Sequence, residues 1–194
     1  ARAVLDEAES HTGDDPEFCI QLSELYGLVA AQQPAEREAL QQTMRRLLDH
    51  AASLHPADNM LRLRLADGYA ALGENQRAAE LYQALLETMP ETPGVRDAIR
   101  AKLTETYLRG KDPARAREQL EALLKSSPTN VRACYLLGSL AFEARDFEQA
   151  RDYFQRVIVL RPQFEQAYYD LGAVLLNLDR LKEAEEIIAQ ARKK

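Results

Sequence analysis

Apolar residues recur along most of the chain at the three- and four-residue spacing of amphipathic α-helices. In the segment 16–32 they include Phe18, Leu22, Leu25 and Val29. Short breaks rich in proline, glycine and aspartate separate such stretches. Asp15 followed by Pro16 is typical of a helix start, because aspartate caps the helix and proline suits its first position. The pattern predicts an all-α fold of about eleven helices.

The C-terminal part contains the same helical hairpin twice, offset by 34 residues. The matching residues are Leu137-Gly138 with Leu171-Gly172, Ala150 with Ala184, Phe154 with Ile188, and Pro128 with Pro162. A fixed period of this length is typical of helix pairs that stack on one another. Antiparallel helices approach closely only where side chains are short. We therefore expect Gly138 and Ala150 at the crossing of the two helices.

These residues resemble the 34-residue tetratricopeptide repeat, whose pattern is Trp-x-x-Leu-Gly-x-x-Tyr, then Ala-x-x-x-Phe, then Pro. The resemblance implies a right-handed α-solenoid of antiparallel helix hairpins, forming a single domain over 1–194. It is close over 59–191 and loose over 1–58. The expected units are a partial repeat over 1–15, a long degenerate repeat over 16–58, and repeats over 59–96, 97–130, 131–164 and 165–194.

The long repeat over 16–58 is expected to have longer helices than the others. We call the position of a residue within the repeat its phase. In the repeat over 16–58, Met44, Leu48 and Ala51 are placed at the phases that Ala, Phe and Ala occupy in the repeat pattern. The first residues, 1–11, are expected to form the second helix of the partial repeat.

The charge distribution argues against a nucleic-acid partner. The net charge is −6, and residues 1–58 hold four arginines against eleven acidic residues. No part of the chain has the basic stripe that phosphate binding requires. No apolar run approaches the roughly 20 residues of a membrane span, so no span is expected.

The sequence shows no constellation of residues for catalysis. The histidines His11, His50 and His55 fit no metal-ligand spacing, and neither do Cys19 and Cys134. There is no glycine-rich phosphate loop and no nucleophile motif. We therefore expect no enzymatic activity, no metal and no cofactor.

Resemblance to the repeat family implies a binding groove lined by the first helix of each repeat. Carried over by phase, the candidate residues are Glu105, Arg109, Arg132, Tyr135, Ser139, Phe142, Tyr169, Leu176 and Asn177. Tyr135 and Tyr169 share one phase, so their rings are expected side by side, with hydroxyls available to a ligand. The alternative is that these rings only pack against neighbouring helices.

The interpretation that follows is a non-enzymatic protein–protein interaction scaffold that holds a peptide segment of a partner in its groove. The expected ligand carries apolar and acidic side chains. Chaperone-binding members of the family have Lys at the fifth and Asn at the ninth phase of one repeat, and no repeat here has that pair. Two alternatives stay open: a module that self-assembles into a homo-oligomer through its terminal helices, and a regulatory repeat region of a larger enzyme or of a secretion or envelope complex.

Overall fold

The computed structural model describes residues 2–9, 13–90 and 92–191. Within these residues there are eleven α-helices, one 3₁₀ turn at Pro34–Glu36, and no strand. The helices are α1 (Arg2–Glu9), α2 (Pro16–Gln32), α3 (Arg37–Ser53), α4 (Asn59–Ala71), α5 (Asn75–Thr88), α6 (Pro93–Arg109), α7 (Pro113–Ser126), α8 (Val131–Glu143), α9 (Phe147–Leu160), α10 (Glu165–Asn177) and α11 (Leu181–Ala191). The prediction of an all-α fold with about eleven helices is confirmed.

The chain divides into two compact units, Ala1–Asp112 and Pro113–Lys194. In the first unit α2 packs against α1, α3 and α4, while α5 packs against α4 and α6. In the second unit each helix from α7 to α11 packs against the next. The predicted helix over 1–11 and the predicted turn over 91–94 fall partly on residues 1, 10, 11 and 91, outside the described residues. The division into repeats stays a prediction.

Side-chain oxygens cap several helices at their N-termini. Asp15 Oδ1 accepts from the N–H of Glu17 at 2.9 Å, which confirms the predicted start of α2 at Pro16. Asp58 caps α4 in the same way. Asp146 accepts from the N–H of Gln149 at 3.2 Å at the start of α9. These bonds satisfy N–H groups that have no partner inside the helix.

Four turns between consecutive helices share one backbone geometry. In each of them a residue with positive φ follows the preceding helix: Gly73 (78°), Lys111 (59°), Arg145 (61°) and Asp179 (58°). The next N–H then donates to a carbonyl five residues back, as Asp146 does to Ala141 at 2.8 Å. This is the Schellman arrangement that ends a helix and reverses the chain. The prediction that Gly73 ends its helix with positive φ is confirmed.

Small residues lie where the helices of a hairpin cross. A Cβ atom added to Gly138 would lie 2.8 Å from Cε1 of Phe154, and one added to Gly172 would lie 2.9 Å from Cγ1 of Ile188. Ala150 has no exposed surface and belongs to a buried cluster with Phe154. The predicted crossing at Gly138 and Ala150 is therefore present in the second unit.

The first long hairpin differs in phase from the expectation. Its helices α2 and α3 have 17 residues each, longer than most of those that follow, as predicted. However, Met44 lies opposite Gly27, with its Cε 3.2 Å from the position of an added Cβ, as Phe154 lies opposite Gly138. Met44 therefore occupies the Phe phase, not the Ala phase. Leu48 instead packs on α4, where its Cδ2 would lie 2.8 Å from a Cβ on Gly68.

Candidate functional site

Two helices of the second unit, α8 and α10, present equivalent faces. The expected residues on α8 lie at 135, 139 and 142, and spacings of four and three residues keep them on one side of the helix. On α10 the expected residues at 169 and 176 are about two helical turns apart and share one side, and Asn177 follows directly. The structure brings the three α8 residues together at a pocket of about 160 Å³. The pocket is lined by Tyr135, Ser139, Phe142, Glu143, Phe154, Asp170 and Ala173.

Tyr135 is half-buried within this pocket. Its ring centroid lies 5.0 Å from that of Phe164 and 5.7 Å from that of Phe154. Its hydroxyl donates to Asp170 Oδ2 at 2.8 Å. The Tyr135 hydroxyl is therefore held by Asp170 and is not available to a ligand as expected. The placement of its ring beside that of Tyr169 stays a prediction. Buried polar groups usually have a hydrogen-bond partner, and for the Tyr135 hydroxyl Asp170 on α10 is the acceptor.

The environment of Tyr135 stabilises its protonated form. Burial raises the pKa of Tyr135 to about 12, and the hydrogen bond to Asp170 acts in the same direction. The phenol therefore stays neutral at physiological pH and serves as a fixed donor. Sequence reasoning missed Asp170, because the phase of a residue does not show which groups of the next helix it meets.

Tyr169 and Leu176 lie on the exposed face of α10. Their exposed fractions are 44% and 48%. Asn177, one residue further, is exposed and donates from Nδ2 to the carbonyl of Ala173 at 2.8 Å. Arg132 is exposed in the first turn of α8. These residues form a surface beside the pocket, partly apolar and partly polar.

Glu105 and Arg109 lie in the first unit, on α6. They line a separate pocket of about 340 Å³ together with Asp67, Ala70, Ala71, Tyr82 and Lys102. Asp67 Oδ1 accepts from the Tyr82 hydroxyl at 2.5 Å and from Lys102 Nζ at 2.7 Å. Arg109 donates from Nη1 to the carbonyl of Ala70 at 3.3 Å. Burial, followed by the hydrogen bond to Asp67, raises the pKa of Tyr82.

A pocket of about 450 Å³, which sequence reasoning missed, lies between α2, α3 and α4. We call it the α2–α4 pocket, and its lining includes Gly27, Leu28, Arg37, Met44 and Gly68. The small residues on α2 and α4 are a sequence signal for it. The phases expected over 16–58 do not reveal it, because they do not place Met44 opposite Gly27.

The described residues hold no group of three or more His, Cys, Asp or Glu side chains placed to bind a metal ion. Cys19 and Cys134 are both buried, and burial raises the pKa of each thiol. Such thiols are poor nucleophiles because the thiolate is the reactive form. No helix in the described ranges combines the length and apolar character needed to cross a membrane.

Sequence models of the tetratricopeptide repeat match residues 61–92, 105–163 and 135–194, which together make up more than half of the chain. No curated protein sequence matches it significantly. Helical repeat arrays of this kind are in general protein-interaction scaffolds.

Several solved structures share the fold. MamA from residue 41 to its end, from Desulfovibrio magneticus RS-1, is 22% identical with a TM-score of 0.64, over 88% of this chain and 93% of that chain. BtubC from P. vanneervenii is 20% identical with a TM-score of 0.64, over 97% and 85%. YrrB, described as a TPR protein with an unusual peptide-binding site, is 15% identical with a TM-score of 0.64, over 96% and 90%. At these identities the likeness is one of fold alone.

Proposed function

We infer, because the chain belongs to the tetratricopeptide repeat family, that it is a non-catalytic scaffold which binds a peptide segment of a partner protein. The proposed site is the surface of α8 and α10 in the second unit. The observation that carries this proposal is the pocket at Tyr135 and Phe142 with exposed Tyr169 and Leu176 beside it.

The pocket and the exposed side chains suit different parts of a peptide. A volume of about 160 Å³ admits a single apolar side chain, with the rings of Tyr135, Phe142 and Phe154 as walls. Tyr169 and Leu176 offer apolar area to the neighbouring residues of the ligand, and the Tyr169 hydroxyl can bond its backbone. Exposed apolar patches often mark interaction sites, and tyrosine is enriched among the residues that contribute most to binding energy.

Polar groups at the edge of this surface would set the direction of the ligand. Ser139 Oγ donates to the Tyr135 carbonyl at 3.1 Å, and Ser139 lines the same pocket. Asn177 is a candidate for bonding the peptide backbone, and Arg132 for pairing with an acidic side chain. Glu105 and Arg109, on α6, are candidates for contacting a further part of the same ligand or another ligand.

The proposal is tested with peptides selected by the full chain from a phage-displayed random library. Affinities of the selected peptides are then measured by fluorescence anisotropy. Replacing both Tyr169→Ala and Leu176→Ala should weaken binding by about thirtyfold or more, the loss typical of hot-spot residues. Val159→Ala is the matched control, because Val159 on α9 is 78% exposed and lies outside the pocket.

Circular dichroism must show that both variants keep the helical content of the wild type. Unchanged affinity in the double variant would refute the proposed site, as would a library that yields no binder. The non-catalytic part is tested separately, by thermal denaturation with added zinc or nucleotide. Neither should shift the midpoint, whereas stoichiometric retention of zinc or stabilisation by a nucleotide would contradict it.

A further inference from the structure

We propose that the pocket lined by Tyr135 and Phe142 selects a basic side chain of the ligand, lysine or arginine. This inference rests on the proposed function, since it concerns the same site. It goes beyond that function because it assigns a charge to the ligand residue that enters the pocket. The ligand expected from the sequence carries acidic side chains, and the polar lining of this pocket is unsuited to them.

The two hydroxyl groups of the lining already use their hydrogens within the protein. The Tyr135 hydroxyl donates to Asp170 Oδ2 at 2.8 Å, and Ser139 Oγ donates to the Tyr135 carbonyl at 3.1 Å. A hydroxyl has one hydrogen to donate and lone pairs that accept. Towards a ligand, both groups therefore act as acceptors.

The other two polar side chains of the lining are carboxylates, Glu143 and Asp170. Asp170 accepts from Tyr135 at Oδ2 and from Gln166 Nε2 at Oδ1, the latter at 2.9 Å. A carboxylate has about four acceptor positions, so Asp170 keeps capacity for a further donor. Glu143, the last residue of α8, is exposed and forms no hydrogen bond or ion pair with any described residue.

The backbone of the lining offers no donor either. The described lining residues lie on α8, α9 and α10, at or beyond the fifth residue of each helix. Their N–H groups are therefore used by hydrogen bonds within the helices. The described lining also contains no lysine, arginine or histidine. It presents acceptors alone, so it favours a ligand group that donates.

The aromatic walls suit both parts of a basic side chain. Long basic side chains bury their methylene stems on apolar surface, which the rings of Tyr135, Phe142 and Phe154 supply here. The face of an aromatic ring also attracts a cation. An ammonium has three donors and a guanidinium five, and each carries the charge that two carboxylates complement. A carboxylate in the same place would meet two like charges and no donor.

The overall charge of the chain does not explain such a preference. The net charge of −6 attracts basic peptides to many parts of the surface. At physiological salt this attraction is screened beyond about 8 Å, so it does not favour one position of a peptide over another. A preference confined to one ligand position and dependent on Glu143 is therefore specific to the pocket.

The test starts from the peptides that the full chain selects from the phage-displayed library. Lysine or arginine should be enriched at one position of these peptides. In the tightest of them, the basic residue is replaced by its uncharged analogue, norleucine for lysine or citrulline for arginine, and by glutamate. Affinities are measured by fluorescence anisotropy at physiological salt. The uncharged peptide should bind about tenfold more weakly, as expected for lost hydrogen bonds to charged groups, and the glutamate peptide more weakly still.

Variants of the chain assign the preference to the pocket. Glu143→Gln should reduce the tenfold preference but keep part of it, because Asp170 remains. Glu143→Lys should abolish the preference and bind the glutamate peptide more tightly than the wild type does. Glu185→Lys is the matched control, since Glu185 is an exposed residue of α11 outside the pocket and the net charge changes equally. It should leave the preference intact. Circular dichroism must show that each variant keeps the wild-type helical content.

The outcomes separate this inference from the proposed function. Selected peptides without an enriched basic position would overturn the inference, as would equal affinity for the basic and the uncharged peptide or equal loss of preference in Glu185→Lys. The Tyr169→Ala, Leu176→Ala double variant should weaken the basic and the uncharged peptide alike. If it does so while the basic residue has no effect, the proposed function holds and this inference fails. A library without binders contradicts both.

Discussion

Gly138 and Phe154 are packed so closely that no further carbon atom fits between them. A Cβ on Gly138 would lie within 3.1 Å of three atoms of the Phe154 ring. This contact fixes the distance between α8 and α9 in the second unit. Since the ring is itself buried in the cluster around Ala150 and Leu171, it has little room to move away.

We expect Gly138→Ala to destabilise the fold by about 1–2 kcal/mol. Overpacking of a core typically costs about 1–3 kcal/mol, and the higher helix propensity of alanine returns up to about 1 kcal/mol. Urea denaturation followed by circular dichroism gives the difference in the free energy of unfolding.

Two other glycines serve as matched controls for this measurement. Gly172→Ala meets the Ile188 side chain at 2.9 Å, and a smaller loss is expected because an aliphatic side chain can rotate. Gly94, in the first turn of α6, has nothing within 4 Å of an added Cβ, so Gly94→Ala should not destabilise. An equal effect at all three positions would show that crowding is not the cause.

Ala150→Leu should destabilise the second unit for the same reason. Ala150 has no exposed surface and packs in the cluster that contains Phe154 and Leu171. Three additional carbon atoms at this position should cost about 1–3 kcal/mol. An unchanged melting temperature would contradict the placement of Ala150 at the helix crossing.

The sequence predicted the hairpins because their packing residues repeat. Leu137-Gly138 and Ala150 return at a fixed distance, and each is buried where the pattern places it. The conformations of the turns were harder to predict from the sequence. Gly73 marks a positive φ in its own right, whereas Lys111 and Arg145 adopt the same conformation without any sequence signal, because the Schellman hydrogen bonds that end the helix require it.

The candidate site was predictable as a helix face but not as a set of contacts. Phase places Tyr135 and Tyr169 on equivalent sides of α8 and α10. It does not reveal that Tyr135 turns towards Phe164 and Asp170, since that depends on the neighbouring repeat. The α2–α4 pocket could not be predicted, because its shape depends on which residue faces Gly27. That residue is Met44, which the repeat pattern places at a different phase.

The variant Gly73→Ala tests the backbone strain in the turn between α4 and α5. Gly73 has φ of +78° and nothing within 4 Å of an added Cβ, so only the backbone conformation opposes a side chain. An L-residue in this region costs roughly 1–2 kcal/mol. We expect Gly73→Ala to lower the free energy of unfolding by about that amount and the reverse change, Arg145→Gly, to lower it by less or to raise it. Equal losses in both variants would contradict this account.

Tyr135 and Tyr169 should differ in their effect on stability. Tyr135→Ala removes a half-buried ring that contacts two phenylalanines and a hydrogen bond to Asp170, so a loss of about 2–4 kcal/mol is expected. Tyr169→Ala alters an exposed side chain and should change stability by less than about 0.5 kcal/mol. Binding experiments at this surface should therefore use Tyr169→Ala. A loss of stability in Tyr169→Ala equal to that in Tyr135→Ala would show that both rings belong to the core.

The Tyr135–Asp170 hydrogen bond should be lost at alkaline pH, in a window set by the raised pKa of the phenol. An unfolded tyrosine ionises near pH 10, whereas burial and Asp170 raise the pKa of Tyr135 to about 12 in the folded chain. Below pH 10 both states hold the proton, and the contribution of the bond to stability is fully present. Between about pH 10 and 12 the unfolded state releases its proton first, so this contribution falls as the pH rises.

The wild type should accordingly lose its stability advantage over Tyr135→Phe as the pH passes through this window, because the variant has no phenol to ionise there. Urea denaturation of the two proteins at a series of alkaline pH values gives the difference directly. Asp170→Asn is the control for the charge of the acceptor. It should lower the pKa of Tyr135 in the folded chain, so that the pH range over which stability is lost ends at a lower pH. The absorbance of tyrosinate as a function of pH measures this pKa. A difference between wild type and Tyr135→Phe that stays constant from neutral pH to pH 12 would show that this hydrogen bond is not linked to the ionisation of Tyr135.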